Sequence, residues 1–132
     1  MSAGFPWWQM LAVALGAAVG AVARWMAGVW FNTPGAALPL GTLLVNCVGG
    51  LLIGIALVAF GRVPHEMLRL LLVTGFLGGL TTFSAFSGES LALLQRGAIG
   101  WAFVHTLAHV LGSLGCAALG AAAARAWVGH AG

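Results

Sequence analysis

Four long apolar stretches fill most of this 132-residue chain, and they decide what it can fold into. Each is at least as long as the roughly 20 residues that a helix needs to cross a bilayer. The stretches run over about residues 5–29, 40–60, 67–94 and 99–128. Because 61% of the residues are hydrophobic and only 5% are charged, a water-soluble surface is excluded. The sequence predicts an all-α, multi-pass membrane protein with a single transmembrane domain over residues 1–132.

The few charged and sulfur-containing residues exclude several classes of protein. A net charge of +3 is too sparse for a nucleic-acid surface, so no nucleic acid is expected as a partner. Cys47 and Cys116 lie inside apolar stretches, which favours buried free thiols over a disulfide framework. Met1 to Phe5 includes no basic residue, so a cleavable signal peptide is not expected. The chain contains no hydrolase triad, phosphate-binding loop or zinc-protease motif, and we predict that it is not an enzyme.

The third stretch has a composition that a simple spanning helix does not need. As a straight helix, residues 67–94 would be about 42 Å long, whereas the hydrocarbon core is about 30 Å thick. Gly78 and Gly79 lie near its middle, and irregular backbone at membrane depth persists only inside protein or beside a wet cavity. We therefore predict that this helix is broken near Gly78-Gly79. The freed carbonyl oxygens would suit a hard cation, and a glycine kink without a ligand is the alternative.

Two phenylalanines and one asparagine are candidates for contact with an anion near this break. Phe83 and Phe86 share a helical face, and the positive edges of their rings can touch an anion. Ordinary packing is the alternative for this pair. Asn46 is an amide inside the second stretch, where it either joins helices or donates hydrogen bonds along an ion path.

Further polar side chains lie in the first, third and fourth stretches. Arg24 can extend to the membrane surface or attract anions into a vestibule. Glu89 is expected to be a structural partner for an arginine, with a proton carrier as the alternative. His105, His109 and Ser113 are spaced four apart on one face of the fourth helix and can offer hydrogen bonds along a permeation path. A metal or haem site is the weaker interpretation, because no cysteine or carboxylate is placed to complete one.

The distribution of arginines leaves the membrane orientation open. With four spans both termini share one side, and the two sides carry Arg62, Arg69 and Arg125 against Arg24 and Arg96. So small a bias favours insertion in both orientations, with one fixed orientation as the alternative. A chain of this size can hardly enclose a pore by itself. A twofold dimer is therefore expected, and its subunits would be antiparallel.

Two pairs of glycines have the spacing of closely packed helices. Gly16 with Gly20, and Gly50 with Gly54, form GxxxG pairs that let two backbones approach each other. Packing within the chain and a subunit interface are equally compatible with this spacing.

In combination, these motifs resemble the Fluc (CrcB) fluoride channels of bacteria, and the resemblance covers nearly the whole chain. In the first helix it rests on Gly20-Ala21 and Arg24-Trp25. In the second and third helices it rests on residues 41–46, Gly49, Gly54, Gly75-Phe76, Gly78-Gly79, residues 81–84 and Phe86. The family commonly has a threonine where this chain has Ala85, so one hydroxyl beside the phenylalanines is missing.

The resemblance implies an antiparallel, dual-topology homodimer with two fluoride paths and a structural sodium ion that is not transported. The backbone carbonyls of Gly78 and Thr81 would hold the sodium ion. Arg24 and Glu89 would have electrostatic or structural roles. The fluoride pathway would include Asn46, Thr82, Phe83, Ser84, Phe86, His109 and Ser113.

The function that the resemblance implies is a fluoride-selective channel in the cytoplasmic (inner) membrane, where passive export of fluoride relieves its toxicity. Asparagine, hydroxyls and ring edges can replace the water around fluoride without trapping the ion behind a full positive charge. A small four-helix multidrug exporter is one alternative. Such exporters use a glutamate in the first helix, and this chain has no acid there. A non-transporting scaffold subunit of the membrane is the other alternative.

Overall fold

The computed structural model describes residues 4–132, which form four long helices joined by short loops. We refer to them as the first helix, the second helix, the third span and the fourth helix. Their bounds are Trp7–Phe31, Leu40–Arg62, Glu66–Gln95 and Ile99–His130, respectively. Each is long and apolar enough to cross a membrane, and no strand occurs within residues 4–132. The predicted all-α fold with four spans is confirmed, while residues 1–3 of the predicted domain lie outside the described part of the chain.

Polar side chains are buried among these helices, and large apolar side chains face outward. His105 is fully buried, and Thr42, Thr82 and His109 are buried as well. Leu57, Phe103 and Leu119, by contrast, are 68%, 65% and 66% exposed. A protein folded in water has the opposite distribution, so this outer surface is suited to lipid.

Tryptophans mark the ends of two of the helices. Trp7 and Trp8 begin the first helix, and Trp30 lies next to its last residue. Trp101 and Trp127 lie near the two ends of the fourth helix. The side chains of all five are exposed. Because indole rings concentrate at membrane–water interfaces, these positions indicate where the helices meet the two membrane surfaces.

Small residues bring the helices together in two pairs. A Cβ atom added at Gly16 or Gly20 would collide with the backbone of the third span. A Cβ atom added at Gly50 or Gly54 would collide with the backbone of the fourth helix. Both GxxxG pairs therefore serve packing within the chain, which is one of the two interpretations that the sequence leaves open.

The third span is not one regular helix. It consists of an α-helical turn, a π-helical stretch, a second α-helical turn and a longer α-helix, with bounds Glu66–Arg69, Leu70–Leu77, Gly78–Leu80 and Phe83–Gln95. Thr81 and Thr82 lie between the last two of these and have extended backbone angles, with φ −80° and ψ 157° at Thr81 and φ −151° and ψ 115° at Thr82.

The sequence predicts a break near Gly78-Gly79, and the non-helical residues are Thr81 and Thr82, just after these glycines and not the glycines themselves. Gly78 is helical, with φ −62° and ψ −35°. A Cβ atom on Gly79 would collide with the backbone of Ala17 in the first helix, so this glycine serves close packing. The chain leaves the helix further on, where the Thr82 hydroxyl accepts a hydrogen bond from the Ala85 N–H (3.0 Å) and caps the following helix.

Asn32, in the loop after the first helix, caps the second helix. Its Oδ1 accepts hydrogen bonds from the N–H groups of Gly41 (2.7 Å) and Thr42 (3.2 Å). Donors in the first turn of a helix have no partner within that helix, so this contact satisfies two of them. The Nδ2 of Asn32 also donates to the Thr42 hydroxyl (3.3 Å), and it thereby orients a side chain that reaches the functional site.

We predict that Gly54→Ala destabilises the protein, because the added methyl group would have to push the second and fourth helices apart. Overpacking of this kind costs about 1–3 kcal/mol. Gly115→Ala is the matched control, since a Cβ atom there meets no atom within 4 Å. It should be neutral or stabilising, because alanine favours helix over glycine. Denaturant unfolding in detergent, followed by circular dichroism, measures both changes, and equal stabilities would contradict the packing assigned to Gly54.

Candidate functional site

An open cleft of about 500 Å³ lies beside the extended residues of the third span. Most of the residues predicted for the ion pathway line it, namely Asn46, Thr82, Phe83, Phe86, His109 and Ser113. Ser84 instead supports the wall, with its hydroxyl oxygen 3.2 Å from that of Thr82. Among the described residues that line the cleft, none is an arginine or a glutamate. The cleft is therefore polar at a few points and carries no full charge from these residue types.

The Asn46 side chain joins the second helix to the extended segment. Its Oδ1 accepts a hydrogen bond from the Thr82 N–H (2.8 Å), and its Nδ2 donates to the Thr82 carbonyl oxygen (3.1 Å). The same Nδ2 lies 3.1 Å from Nδ1 of His109. A primary amide has two N–H hydrogens, so both are engaged within the chain. In this structure the Asn46 amide therefore joins Thr82 to His109, and neither of its N–H groups remains for the anion considered from the sequence.

This bridge determines which nitrogen of His109 carries the proton. Thr82 holds the Asn46 amide through both its N–H and its carbonyl, so the group that faces His109 is the donor Nδ2. Nδ1 of His109 must then accept, which leaves the proton of the neutral ring on Nε2. This Nε2 is buried and has no hydrogen-bond partner within residues 4–132. Unpaired buried donors are rare and costly, so this N–H marks a place where a ligand is expected.

Two backbone carbonyls at the extended segment have lost their usual donors. In a regular helix, Gly78 and Thr81 would accept hydrogen bonds from the N–H groups four residues later. Those groups are used elsewhere, since the Thr82 N–H donates to Asn46 and the Ala85 N–H donates to the Thr82 hydroxyl. The Gly78 and Thr81 oxygens are therefore available to a hard cation, which prefers oxygen ligands.

Arg24 extends toward the third span and not only toward the membrane surface. Its Nε donates a hydrogen bond to the Gly79 carbonyl oxygen (3.0 Å). The side chain also lines a second pocket, of about 590 Å³, together with Asn32, Thr42 and Glu89. This pocket is a vestibule in which a positive and a negative side chain lie close to the extended segment.

Glu89 is held by a histidine and a threonine. Its Oε2 lies 2.9 Å from Nε2 of His105, and its Oε1 accepts a hydrogen bond from the Thr42 hydroxyl. On the other side of the ring, Nδ1 of His105 lies 2.8 Å from the Ser90 hydroxyl. Within residues 4–132, the side chain that pairs with Glu89 through a nitrogen is therefore that of His105, and not the arginine expected from the sequence.

Thr42 and Ser90 contact the site, although no role in it was predicted for them from the sequence. The contact between Thr42 and Glu89 joins residues 47 positions apart, and no local pattern indicates such a contact. The role of Asn32 was predictable from the sequence. An asparagine that follows one helix and precedes Pro39 is typical of a residue that caps the next helix.

Aromatic rings surround Phe86. The His105 ring stacks almost parallel to it, with 5° between the planes and 5.3 Å between the centroids. The rings of Phe83 and His109 are tilted by 46° and 48°, with centroids 5.3 Å and 5.0 Å away. Because His105 covers one face of Phe86, the ring edges remain for contact with an ion, and those edges carry the positive part of the quadrupole.

A carboxylate lies beside the two histidines of the fourth helix and contacts one of them, His105. Glu89, His105 and His109 each offer one ligand atom, and these atoms lie within 4.8 Å of one another. The expectation that no carboxylate is placed to complete a metal site is therefore wrong. Its physical reason is that Glu89 comes from the neighbouring third span, so spacing along the fourth helix alone cannot show it.

Comparison with known proteins identifies close relatives. Residues 11–121 match the family described as "CrcB-like protein, Camphor Resistance (CrcB)". A protein of Bordetella petrii named "Fluoride-specific ion channel FluC" is 53% identical over 120 residues, which cover 89% of this chain and 92% of that protein. A protein of the same name from Aromatoleum aromaticum is 52% identical over 90% of this chain and 92% of its own length. One from Cupriavidus pinatubonensis is 55% identical over 83% of this chain and 89% of its own length.

We predict that the His109 ring is neutral and protonated on Nε2, because Asn46 donates to its Nδ1. Long-range proton–nitrogen correlation spectra of protein with isotopically labelled histidine distinguish the two tautomers. The signals of His109 are those that disappear in His109→Ser. In Asn46→Leu the donor to Nδ1 is lost, so the preference for one tautomer should weaken. A proton on Nδ1 in the unaltered protein would contradict the bridge.

Proposed function

The chain belongs to the CrcB family, and we propose that it is a fluoride-selective channel through which fluoride leaves the cell passively, so that fluoride toxicity is relieved. The family consists of ion channels, so the chain is not an enzyme. With four spans and channel relatives, it is a multi-pass membrane protein. We place it in the cytoplasmic (inner) membrane, in contact with the lipid bilayer.

The observation that carries this proposal is the wall of the cleft, where hydrogen-bond donors lie beside phenylalanine rings. Fluoride is small and strongly hydrated, so a channel must replace its water with donors and still release it. The hydroxyls of Thr82 and Ser113 supply donors at this wall, and the unpaired Nε2–H of His109, which is buried in this structure, would become a donor when an ion enters. The edges of Phe83 and Phe86 supply weaker positive contacts. None of these groups holds fluoride as strongly as an arginine would.

Asn46 and Ser84 act in this pathway by positioning other groups. Asn46 holds His109 so that Nε2–H, and not Nδ1–H, is presented as a donor. Ser84 lies against the Thr82 hydroxyl and orients it. In this way the pathway has donors in fixed directions, which lowers the cost of reorganising the protein when an ion arrives.

A second copy of the chain would complete the pathway. The cleft is open on one side, and both Phe83 and Gly78, which line it, are exposed in the single chain. A twofold partner would cover this side and enclose two equivalent paths. The near balance of arginines on the two membrane faces favours an antiparallel arrangement with dual topology.

A structural sodium ion, which is not transported, would lie where the extended segments of the two subunits meet. The carbonyl oxygens of Gly78 and Thr81 fit this group, because the N–H groups that would normally bond to them are used elsewhere. Two copies would provide about four oxygens for a hard cation. Arg24 supports the same segment through Gly79, and Glu89 anchors it through His105. Bound sodium would supply a positive field that favours anions.

We expect Phe86→Ile and His109→Leu to lower fluoride efflux by about tenfold or more, which corresponds to about 1.4 kcal/mol. The first change removes a ring edge and the second removes the unpaired donor. His109→Ser restores a hydroxyl donor and should retain more flux than His109→Leu. Liposomes loaded with fluoride, with the voltage clamped by a potassium ionophore, give the rate with a fluoride electrode.

Two controls make this measurement decisive. Phe103→Ile removes an exposed phenylalanine outside the cleft and should leave fluoride efflux unchanged. Chloride-loaded liposomes should release almost no chloride. If folded, unaltered protein releases no fluoride, the channel assignment fails, and transport of cationic drugs becomes the next test.

Sodium should stabilise the assembled protein by mass action. At a sodium concentration one hundred times its dissociation constant, the gain is about 2.7 kcal/mol. Thr82→Ala should reduce this gain, because the Ala85 N–H can then return to the Thr81 carbonyl. Ser87→Ala removes an exposed hydroxyl from the same helix and is the matched control. Thermal unfolding in sodium and in N-methylglucamine measures the effect, and identical melting in both salts would exclude a sodium site.

A further inference from the structure

We propose that Glu89, His105 and His109 form a binding site for a transition-metal ion such as Zn²⁺, and that this ion blocks the channel when it is bound. The site is distinct from the carbonyl site proposed for sodium, because its donors are two imidazole nitrogens and one carboxylate. The blocking effect rests on the proposed function, whereas metal binding itself does not.

The three ligand atoms are almost close enough for coordination. They lie within 4.8 Å of one another, and Oε2 of Glu89 is 2.9 Å from Nε2 of His105. Zinc with nitrogen and oxygen ligands at about 2.0–2.2 Å needs donor atoms about 3.4 Å apart. Atoms at the upper limit of this separation must therefore approach by about 1.4 Å, which side-chain rotation can supply.

Neighbouring side chains hold the ligands of this proposed metal site in place. His105 and His109 are one helical turn apart on the fourth helix, and Glu89 lies on the third span. Ser90 contacts Nδ1 of His105 at 2.8 Å, and the ring of Phe86 stacks against the same imidazole. Metal-binding histidines typically have such a partner on their second nitrogen, which fixes the orientation of the ring.

The second observation that points to a ligand is the buried Nε2 of His109. The side chain is only 5% exposed, and Nε2 has no partner within residues 4–132. Every other hydrogen-bonding atom named in this cluster is already paired with a protein group. A metal ion would give Nε2 of His109 the partner that the protein does not supply, and it would replace the hydrogen bond between Glu89 and His105.

For a metal ion to bind, the proton of each imidazole must move from Nε2 to Nδ1 of the same ring. Neither ring loses a proton. At His105 the proton on Nε2 moves to Nδ1, where the Ser90 hydroxyl can accept it because a hydroxyl both donates and accepts. At His109 the proton also moves from Nε2 to Nδ1. It then faces the Nδ2 donor of Asn46, so the hydrogen bond between Asn46 and His109 must break. Metal binding therefore removes the donor proposed for fluoride and releases the group that positions it.

The donor set selects the class of metal. Two imidazoles and one carboxylate suit zinc, copper, nickel and iron, whereas sodium, magnesium and calcium prefer oxygen ligands alone. Two histidines with one glutamate also leave a fourth position open, as in catalytic zinc sites. Glu89 lines the vestibule of about 590 Å³ and His109 lines the cleft, so an ion can reach the cluster from the vestibule.

Titration of the purified, tag-free protein with Co²⁺ tests the binding. Cobalt in a tetrahedral site of this kind absorbs visible light strongly, and competition with Zn²⁺ then measures zinc affinity. We expect one cobalt ion per chain. Glu89→Gln and His109→Ser should each weaken binding by more than about tenfold, and Ser90→Ala by about tenfold to a hundredfold. The double variant His65→Ala/His130→Ala removes two exposed histidines outside the cluster and is the matched control.

Two results would overturn the metal site. One is a folded, unaltered protein that shows no tetrahedral cobalt spectrum. The other is a spectrum that survives Glu89→Gln and His109→Ser but is lost in the His65/His130 double variant, which would assign the metal to the surface. Size-exclusion chromatography of each variant establishes that it is folded before the titration.

Fluoride efflux tests the block separately. Micromolar Zn²⁺ should slow efflux through the unaltered protein, and a chelator should restore the metal-free rate. Each variant is compared with its own metal-free rate, and Ser90→Ala should need about tenfold more zinc for the same slowing. Zinc that binds without slowing efflux would overturn the block. Absence of fluoride efflux even without metal would instead overturn the proposed function, while the cobalt titration would still decide the metal site.

Discussion

The exchange of hydrogen bonds between the Asn46 amide and the backbone of Thr82 is the interaction on which the site depends. An extended segment at membrane depth leaves N–H and C=O groups unpaired, and each unpaired group costs several kcal/mol in hydrocarbon. Asn46 satisfies both groups of Thr82 with one side chain. The same contact takes the Thr82 N–H away from the Gly78 carbonyl and turns a donor toward His109. This pairing thus frees one of the two carbonyls that we propose as cation ligands and positions the donor that we propose for the anion.

The interior of the protein follows from how closely its helices approach. Glycines at the contacts of both helix pairs leave little room for large apolar side chains between the backbones. The space that remains is shared by a small apolar cluster of Ala27, Val45, Leu77 and Leu80 and by a polar network that runs from Asn32 through Thr42 and Glu89 to His105. His105 is the largest fully buried side chain among the described residues. The helices are therefore positioned by backbone contact, by hydrogen bonds and by a small apolar cluster.

The number and approximate positions of the helices were predicted correctly, because they depend on the composition of single stretches of the sequence. Four apolar stretches of sufficient length predict four spans, because the bilayer imposes that length. The position of the irregular backbone was not predictable from glycine content, since Gly79 serves contact with the first helix and the Thr82 hydroxyl caps the next helix. The partner of Glu89 and the bridging role of Asn46 depend on contacts between different helices. Spacing along one helix contains no information about such contacts.

The π-helical stretch Leu70–Leu77 affects how the third span can change in length. A π-helix forms its hydrogen bonds across one residue more than an α-helix, so it contains more residues in each turn. Deletion of one residue there would convert the stretch toward α-helix. In a regular α-helix, the loss of one residue rotates all later side chains by about 100° around the helix axis. The change from π-helix to α-helix would offset most of that rotation. Thr82 and Phe83 would keep their register with the second and fourth helices. A deletion of one residue within the span is thus best accommodated before the site, in the stretch where the chain already carries additional length.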